Sequence, residues 1–458
     1  LNEQGGQLIK PVRLSPFRVG LVAIAVIGAV WATGVDLMGR VSIGPLTGSA
    51  VLSIVAFLAV AITAALGVII VITHRRRSGE SSGSVGELWS DPLFLATVGL
   101  VPFTVYAIIS AAGTRTSEGF QSVIVWCLFA VTVPLVGWGA WQLVLDRGIR
   151  VLRVCAVVVS IVSVLSESAG VALYSGRSFA IVALIFLAAT IFPQPRGLLA
   201  RAAPYVVFIA IIASASRTAT AVALAAIGLV ALRDYAPRRR TAVKAAAVWL
   251  AGGAFFALVL SWGWIRDGIV AAVSDDRAST VGDDGSSAPT VSDRFLGTGD
   301  QAVSIGEIVV NTNGRIGAWS ALLSSFDPQN WLFGNGAGAA SRYLTPLFPT
   351  NFTQPHNEYL RILYDFGIFG AVLFGLGAVV LVVSLMRMAL RTQSPLARGA
   401  VLAMFGVGLV AVTDNPFVYG FVMLPLGLFV GAAIADHRLR QLEALGQTST
   451  LTHDSNLM

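Results

Sequence analysis

Chemistry in this chain has to come from very few side chains. There are four histidines, His74, His356, His437 and His453. Three fall beside arginines or in the C-terminal tail. His356 stands apart in Gln354-Pro355-His356-Asn357-Glu358-Tyr359-Leu360, just before an apolar run. An unperturbed imidazole titrates near neutrality, so His356 is the candidate general base. A histidine bonded to a loop carbonyl at the membrane interface is the plainer explanation, of about equal weight. Arg217, in Ala215-Ser216-Arg217-Thr218, falls at a tight turn between two apolar runs. At that depth a guanidinium is costly unless it is paired or faces a polar cavity, although a snorkelling arginine fits the same pattern. Arg315 opens Asn313-Gly314-Arg315-Ile316-Gly317-Ala318-Trp319, where a solvated helix face is the ordinary explanation. Arg177, Arg342 and Arg361 are weaker candidates.

Other patterns carry no chemistry. Gly334-Asn335-Gly336-Ala337-Gly338 lacks the Lys-Ser/Thr of a phosphate loop and does not fit the dinucleotide fingerprint, so it reads as a turn. The pairs Asp275-Asp276 and Asp283-Asp284 lack the alternating ligands and distal glutamate of a calcium loop. No zinc spacing and no nucleophile elbow occur. Cys127 and Cys155 fall at different depths of neighbouring spans, too far apart for a disulfide, and read as core fillers. No metal or cofactor is expected.

The elements that must position these residues are membrane helices. Of 458 residues, 55% are hydrophobic and 12% charged, with mean hydropathy +0.78. A soluble domain carries about 25% charged residues, so a water-soluble enzyme is excluded, as are a disordered chain and a disulfide-stapled fold. The net charge of +7 comes from short basic clusters between apolar runs, which argues for membrane sidedness and against a nucleic-acid partner. Taking roughly 20 apolar residues per span, twelve are expected, near 17–35, 50–73, 92–112, 120–145, 151–167, 178–193, 203–215, 218–232, 244–265, 366–386, 399–413 and 417–435. The polar break Ser214, Ser216, Arg217, Thr218 divides the seventh from the eighth. With both termini cytoplasmic, 21 of the 31 basic residues fall inside, and merging those two spans would send the cluster Arg233, Arg238, Arg239, Arg240 and Lys244 outward.

The expected fold is therefore all-α and polytopic. Residues 1–265 hold nine spans, 266–358 a large outward loop with short amphipathic helices, 359–435 three more spans, and 436–458 a disordered cytoplasmic tail. Within the loop, Ser274–Thr298 reads as mobile. Ile316, Trp319, Leu322, Leu323 and Phe326 recur at helical spacing, with Asn311 or Asn313 as cap, Asp327-Pro328 as stop and Trp319 at headgroup depth.

Taken together, Gly314-Arg315-x-x-x-Trp319, Leu332-Phe333-Gly334-x-Gly336-x-Gly338 and His356-Asn357-x-Tyr359-Leu360, ending in Asp365-Phe366-Gly367-x-x-Gly370, resemble the O-antigen ligase and polymerase family of bacterial polytopic glycosyltransferases. The Ser216-Arg217 turn is similar to that family's earlier arginine motif. The resemblance implies transfer of a glycan from a polyprenyl-diphosphate donor to an acceptor hydroxyl on the outer face of the inner membrane. Arginine forks suit a diphosphate, so Arg217 and Arg315 would hold it without a metal. His356 would take the acceptor proton, with direct displacement inverting the anomeric centre. Asn357, Tyr359 and Trp319 are expected to bind substrate. A lipid-linked glycan flippase or secondary transporter is the runner-up, since twelve spans is a common transporter layout. An outer-face polymerase of the shape, elongation and division type would instead rely on a loop aspartate such as Asp293 or Asp300.

Overall fold

The computed structural model of the chain describes residues 16–34, 42–43, 46–78, 91–140, 142–168, 176–192, 198–214, 216–235, 302–305, 308–311, 315–347, 354–392 and 394–455. Thirteen α-helices occur among them. They are α1 (Pro16–Thr33), α2 (Gly48–Ser78), α3 (Pro92–Thr114), α4 (Ser117–Gly139), α5 (Gln142–Ser168), α6 (Gly176–Ile191) and α7 (Leu198–Ala213). There follow α8 (Arg217–Tyr235), α9 (Arg315–Ser324), α10 (Ala339–Leu347), α11 (Glu358–Arg391), α12 (Pro395–Val410) and α13 (Gly420–Ser455). Seven are long and apolar enough to cross a membrane, and α6, α7, α8 and α12 contain shorter apolar helices. Eleven expected spans thus coincide with helices. The ninth, 244–265, and the loop to residue 301, with Asp275, Asp276, Asp283, Asp284, Asp293 and Asp300, lie outside the described residues.

Burial explains why these apolar runs belong in lipid. Helix α6 is buried from Phe179 to Ala189 among α5, α7 and α12, and α4 packs along α13, where Leu128, Phe129, Phe429 and Val430 are buried. Helices α2, α3, α5 and α11 instead turn large apolar side chains outward, among them Ile62, Ile109, Leu165 and Leu376. Water would not tolerate so continuous an apolar surface; hydrocarbon does. Small residues bring helices close: a Cβ at Gly99 on α3 would lie 3.1 Å from the Gly377 carbonyl oxygen on α11.

Several expectations need correction. The all-α architecture carries two small antiparallel hairpins, β1 (Ser42–Ile43) with β2 (Leu46–Thr47) and β3 (Ala302–Ile305) with β4 (Ile308–Asn311). The seventh and eighth runs do form separate helices: α7 ends at Ala213 and α8 begins at Arg217, with polar Ser214 and Ser216 between them. Helix α9 covers Arg315–Ser324, and Asp327 then caps a short 3-10 turn, Pro328–Asn330, by accepting the Gln329 N–H. The last helix does not stop at 435. It continues to Ser455, so residues 436–455 are helical and not a disordered tail. The reason is local satisfaction: Asp436 is buried yet accepts from Ser394 Oγ at 2.6 Å and Arg440 Nε at 2.9 Å.

Candidate active site

His356 lies between buried Pro355 and the first turn of α11, and its backbone is left-handed, φ +50°. A non-glycine residue there is held against a steric preference by its surroundings. Two neighbours do the holding. Asn357 caps α11, its Oδ1 accepting the Leu360 N–H at 3.0 Å, and the indole N–H of Trp319 donates to the Pro355 carbonyl at 2.6 Å. The imidazole Nδ1 faces Asp414 Oδ1 at 3.4 Å, with the two side chains 16% and 10% exposed. That separation is long for a hydrogen bond. A carboxylate at Nδ1 favours the tautomer that carries its proton there and makes Nε2 the basic nitrogen.

Asp414 belongs to the turn between α12 and α13, where its Oδ1 also accepts the Asn415 N–H at 2.8 Å. The same turn reaches α8. Thr413 Oγ1 lies 2.8 Å from Thr218 Oγ1, so the residue beside Arg217 is joined to the residue beside Asp414. The Ala411 carbonyl accepts the Glu358 N–H at 2.8 Å. Arg315 is four residues, about 6 Å of helix, from Trp319. The fold therefore gathers the backbones of Arg217, Arg315 and His356 at one end of the bundle through Thr218–Thr413, Asp414–His356 and Trp319–Pro355. The side chains of Arg217 and Arg315 lie outside the described residues.

Immediately below is a buried charged layer. Arg361 binds Glu358 Oε1 through Nε and Nη2 and reaches Asp365 Oδ2 at 3.2 Å. All three residues are buried. The glycine-rich run is the other half of this layer. Asp365 accepts the Gly338 N–H at 3.1 Å and the Ala340 N–H at 2.8 Å, so its carboxylate occupies the amide cradle that a phosphate loop would offer an anion. Gly334, Gly336 and Gly338 all have positive φ, and the run packs where α11 itself breaks at Gly367 (φ +66°, ψ −173°). The freed amides of Ile368 and Phe369 bond to the carbonyls of Trp331 and Leu332 at 2.9 and 3.0 Å. This is a turn, as expected, and it has a definite partner.

Some buried polar atoms near His356 have no hydrogen-bond partner: Glu358 Oε2, Gln354 Oε1 and both amide atoms of Asn415. Orphaned buried groups are rare and mark places where a water or ligand belongs. A cavity of about 10 Å³ beside Glu358, Arg361, Ser122 and Trp126 is of single-water size. Among the described residues no three His, Cys, Asp or Glu side chains group to hold a metal ion.

Three residues expected to bind substrate have bonds within the protein. Trp319 and Asn357 brace His356 as described, and the Tyr359 hydroxyl donates to the Gly408 carbonyl on α12 at 2.7 Å. Sequence reasoning passed over Asp414. A carboxylate in Thr413-Asp414-Asn415-Pro416, between two apolar runs, was the available signal.

An independent comparison bears on this arrangement. The family model described as O-antigen ligase matches residues 202–375, from α7 into α11, which includes Arg217, Arg315 and His356. The resemblance read from the motifs is thus shown. The matched segment is similar to the O-antigen ligase family, and among its described residues the chain has seven helices long and apolar enough to cross a membrane. Asp414 lies beyond the matched segment. No curated protein matches the chain.

Proposed function

We propose that this protein transfers a glycan from a polyprenyl-diphosphate donor to an acceptor hydroxyl at the outer face of the bacterial inner membrane. The observation that carries the reading is the convergence of the Arg217, Arg315 and His356 segments around the 411–415 turn. The donor's diphosphate lies between the Arg217 and Arg315 forks, at the depth where its lipid enters the bilayer. The acceptor oxygen attacks the anomeric carbon while His356 Nε2 takes its proton. The bond from that carbon to the diphosphate oxygen breaks, and the polyprenyl diphosphate leaves with the electron pair. Its growing charge is met by the two arginines, so neither a metal nor a general acid is required. One displacement inverts the anomeric centre. Asp414 orients the imidazole and stabilises it once protonated. Trp319, Asn357 and Tyr359 are positioning residues around this centre.

In the proposed topology twelve spans place both termini in the cytoplasm. The test uses the purified chain in proteoliposomes with a polyprenyl-diphosphate-linked glycan and a glycan acceptor. Transfer with inversion is expected. Arg217→Lys should be a poor enzyme, because a point charge does not reproduce the planar fork. Gradient-driven movement of the donor without bond formation would identify a flippase or transporter instead. In cells, loss of a ligase accumulates full-length lipid-linked chains, and loss of a polymerase accumulates single repeat units.

A further inference from the structure

At the other end of α12 lies a second polar site that the transfer reaction does not use. A cavity of about 340 Å³ is lined by Leu145, Asp146, Ile149, Arg150 and Arg153 of α5, by Pro395 and Leu396 of α12, and by Asp436 and Arg440 of α13. The sixteen residues of α12 separate it from the 411–415 turn by about 24 Å at 1.5 Å per residue. The α5 contributors recur at helical spacing, so they share one face of its first turns.

Each arginine is tethered through Nε to the protein: Arg150 to the Asp146 carbonyl at 3.2 Å, Arg153 to the Ala189 carbonyl at 3.2 Å, and Arg440 to Asp436 at 2.9 Å. Tethering holds the guanidinium planes in place and lowers the entropy cost of engaging a ligand. The lining carries three arginines and two carboxylates; Asp436 is engaged by Ser394 and by Arg440, and Glu443 also acts on Arg440, so the ligand contacts are assigned to Arg150 and Arg153. The rest of the wall, Leu145, Ile149, Pro395 and Leu396, is apolar, which suits the glycerol and upper chain of a lipid better than a free anion.

We propose that this cavity binds the phosphodiester headgroup of an anionic membrane lipid, with Arg150 and Arg153 as the principal contacts. The site is distinct from the donor site, whose phosphate chemistry lies at the opposite end of the bundle.

The experiment uses the full chain in detergent, with binding read by native mass spectrometry and by thermal unfolding. The probes are phosphatidylglycerol, phosphatidylcholine and inorganic phosphate. Phosphatidylglycerol is expected to bind at least fivefold tighter than phosphatidylcholine and to raise Tm. Arg150→Gln, on an exposed side chain, should weaken phosphatidylglycerol about fivefold, as expected for one arginine at a lipid surface, and leave phosphatidylcholine unchanged. The double variant Arg150→Gln/Arg153→Gln should remove the preference. Equal affinity for the two lipids overturns the proposal, as does an unchanged preference in folded Arg150→Gln. Inorganic phosphate alone reproducing the Tm shift would overturn the lipid assignment in favour of a soluble phosphate.

Discussion

Residues 354–365 carry two ionisable groupings that the fold treats in opposite ways. His356 is partly accessible, held in a left-handed backbone, and meets its carboxylate partner at the long distance of 3.4 Å. Two to nine residues on, Glu358, Arg361 and Asp365 are buried and joined in one network that also ties down two amides of the glycine-rich turn. Both groupings sit at the same end of the bundle and both would look functional by charge alone. What separates them is burial and geometry. The buried trio is bonded within the protein and builds the floor; His356 and Asp414 are partly accessible, 16% and 10% exposed, and meet across a longer distance. Glu358 Oε2, buried without a partner, marks the seam between the two.

The comparison can be broken by mutation. The largest effect on transfer should come from His356→Ala: about 10²–10⁴-fold less activity, the usual range for a general base, with membrane insertion and Tm unchanged. A folded, fully active variant would remove His356 from the chemistry. Arg361→Leu should do the reverse, leaving buried carboxylates uncompensated at a cost of about 3–5 kcal/mol. Its expected signature is loss of folded protein in detergent size-exclusion profiles. Normal folding with selective loss of transfer would move Arg361 into the reaction. Asp414→Asn should weaken a charge-assisted contact of about 1.5–3 kcal/mol, lowering kcat some 10–100-fold while donor KM changes little. Smallest is Trp319→Phe, which deletes the bond to Pro355, about 0.5–1.5 kcal/mol, for a few-fold loss of kcat. If it matched His356→Ala, Trp319 would be touching substrate directly.

Much of the architecture was legible because lipid imposes simple demands. Apolar runs located the helices, and Ser214, Ser216 and Arg217 located the break between α7 and α8. Arg217 and His356 stood out because ionisable groups beside such runs are scarce. Asp414 was missed for a corresponding reason: sidedness was read from basic residues, and a lone aspartate in a short turn carries no weight in that reading. The partnership of residues 356 and 414 is a tertiary fact with no local signature. The break at Gly367 was hidden too, since a glycine within an apolar run also serves close helix packing. Residues 436–458 looked like a tail because they follow the last apolar run, yet Asp436 and Arg440, four apart, pair on one helix face and let α13 continue.

The break at Gly367 has a mechanical consequence for life in different bilayers. A membrane span adjusts to hydrocarbon thickness by tilting. Beyond Phe369, whose amide is the last one bonded to the 331–332 segment, α11 packs on α3 and the two can tilt together with the lipid. Before Gly367, the first turns are bolted to the 331–340 segment and to the α12–α13 turn, so they need not follow. Glycan transfer should therefore vary little between reconstituted bilayers of about 27 and about 33 Å hydrocarbon thickness. A steep dependence on acyl-chain length would show that span and site move as one rod.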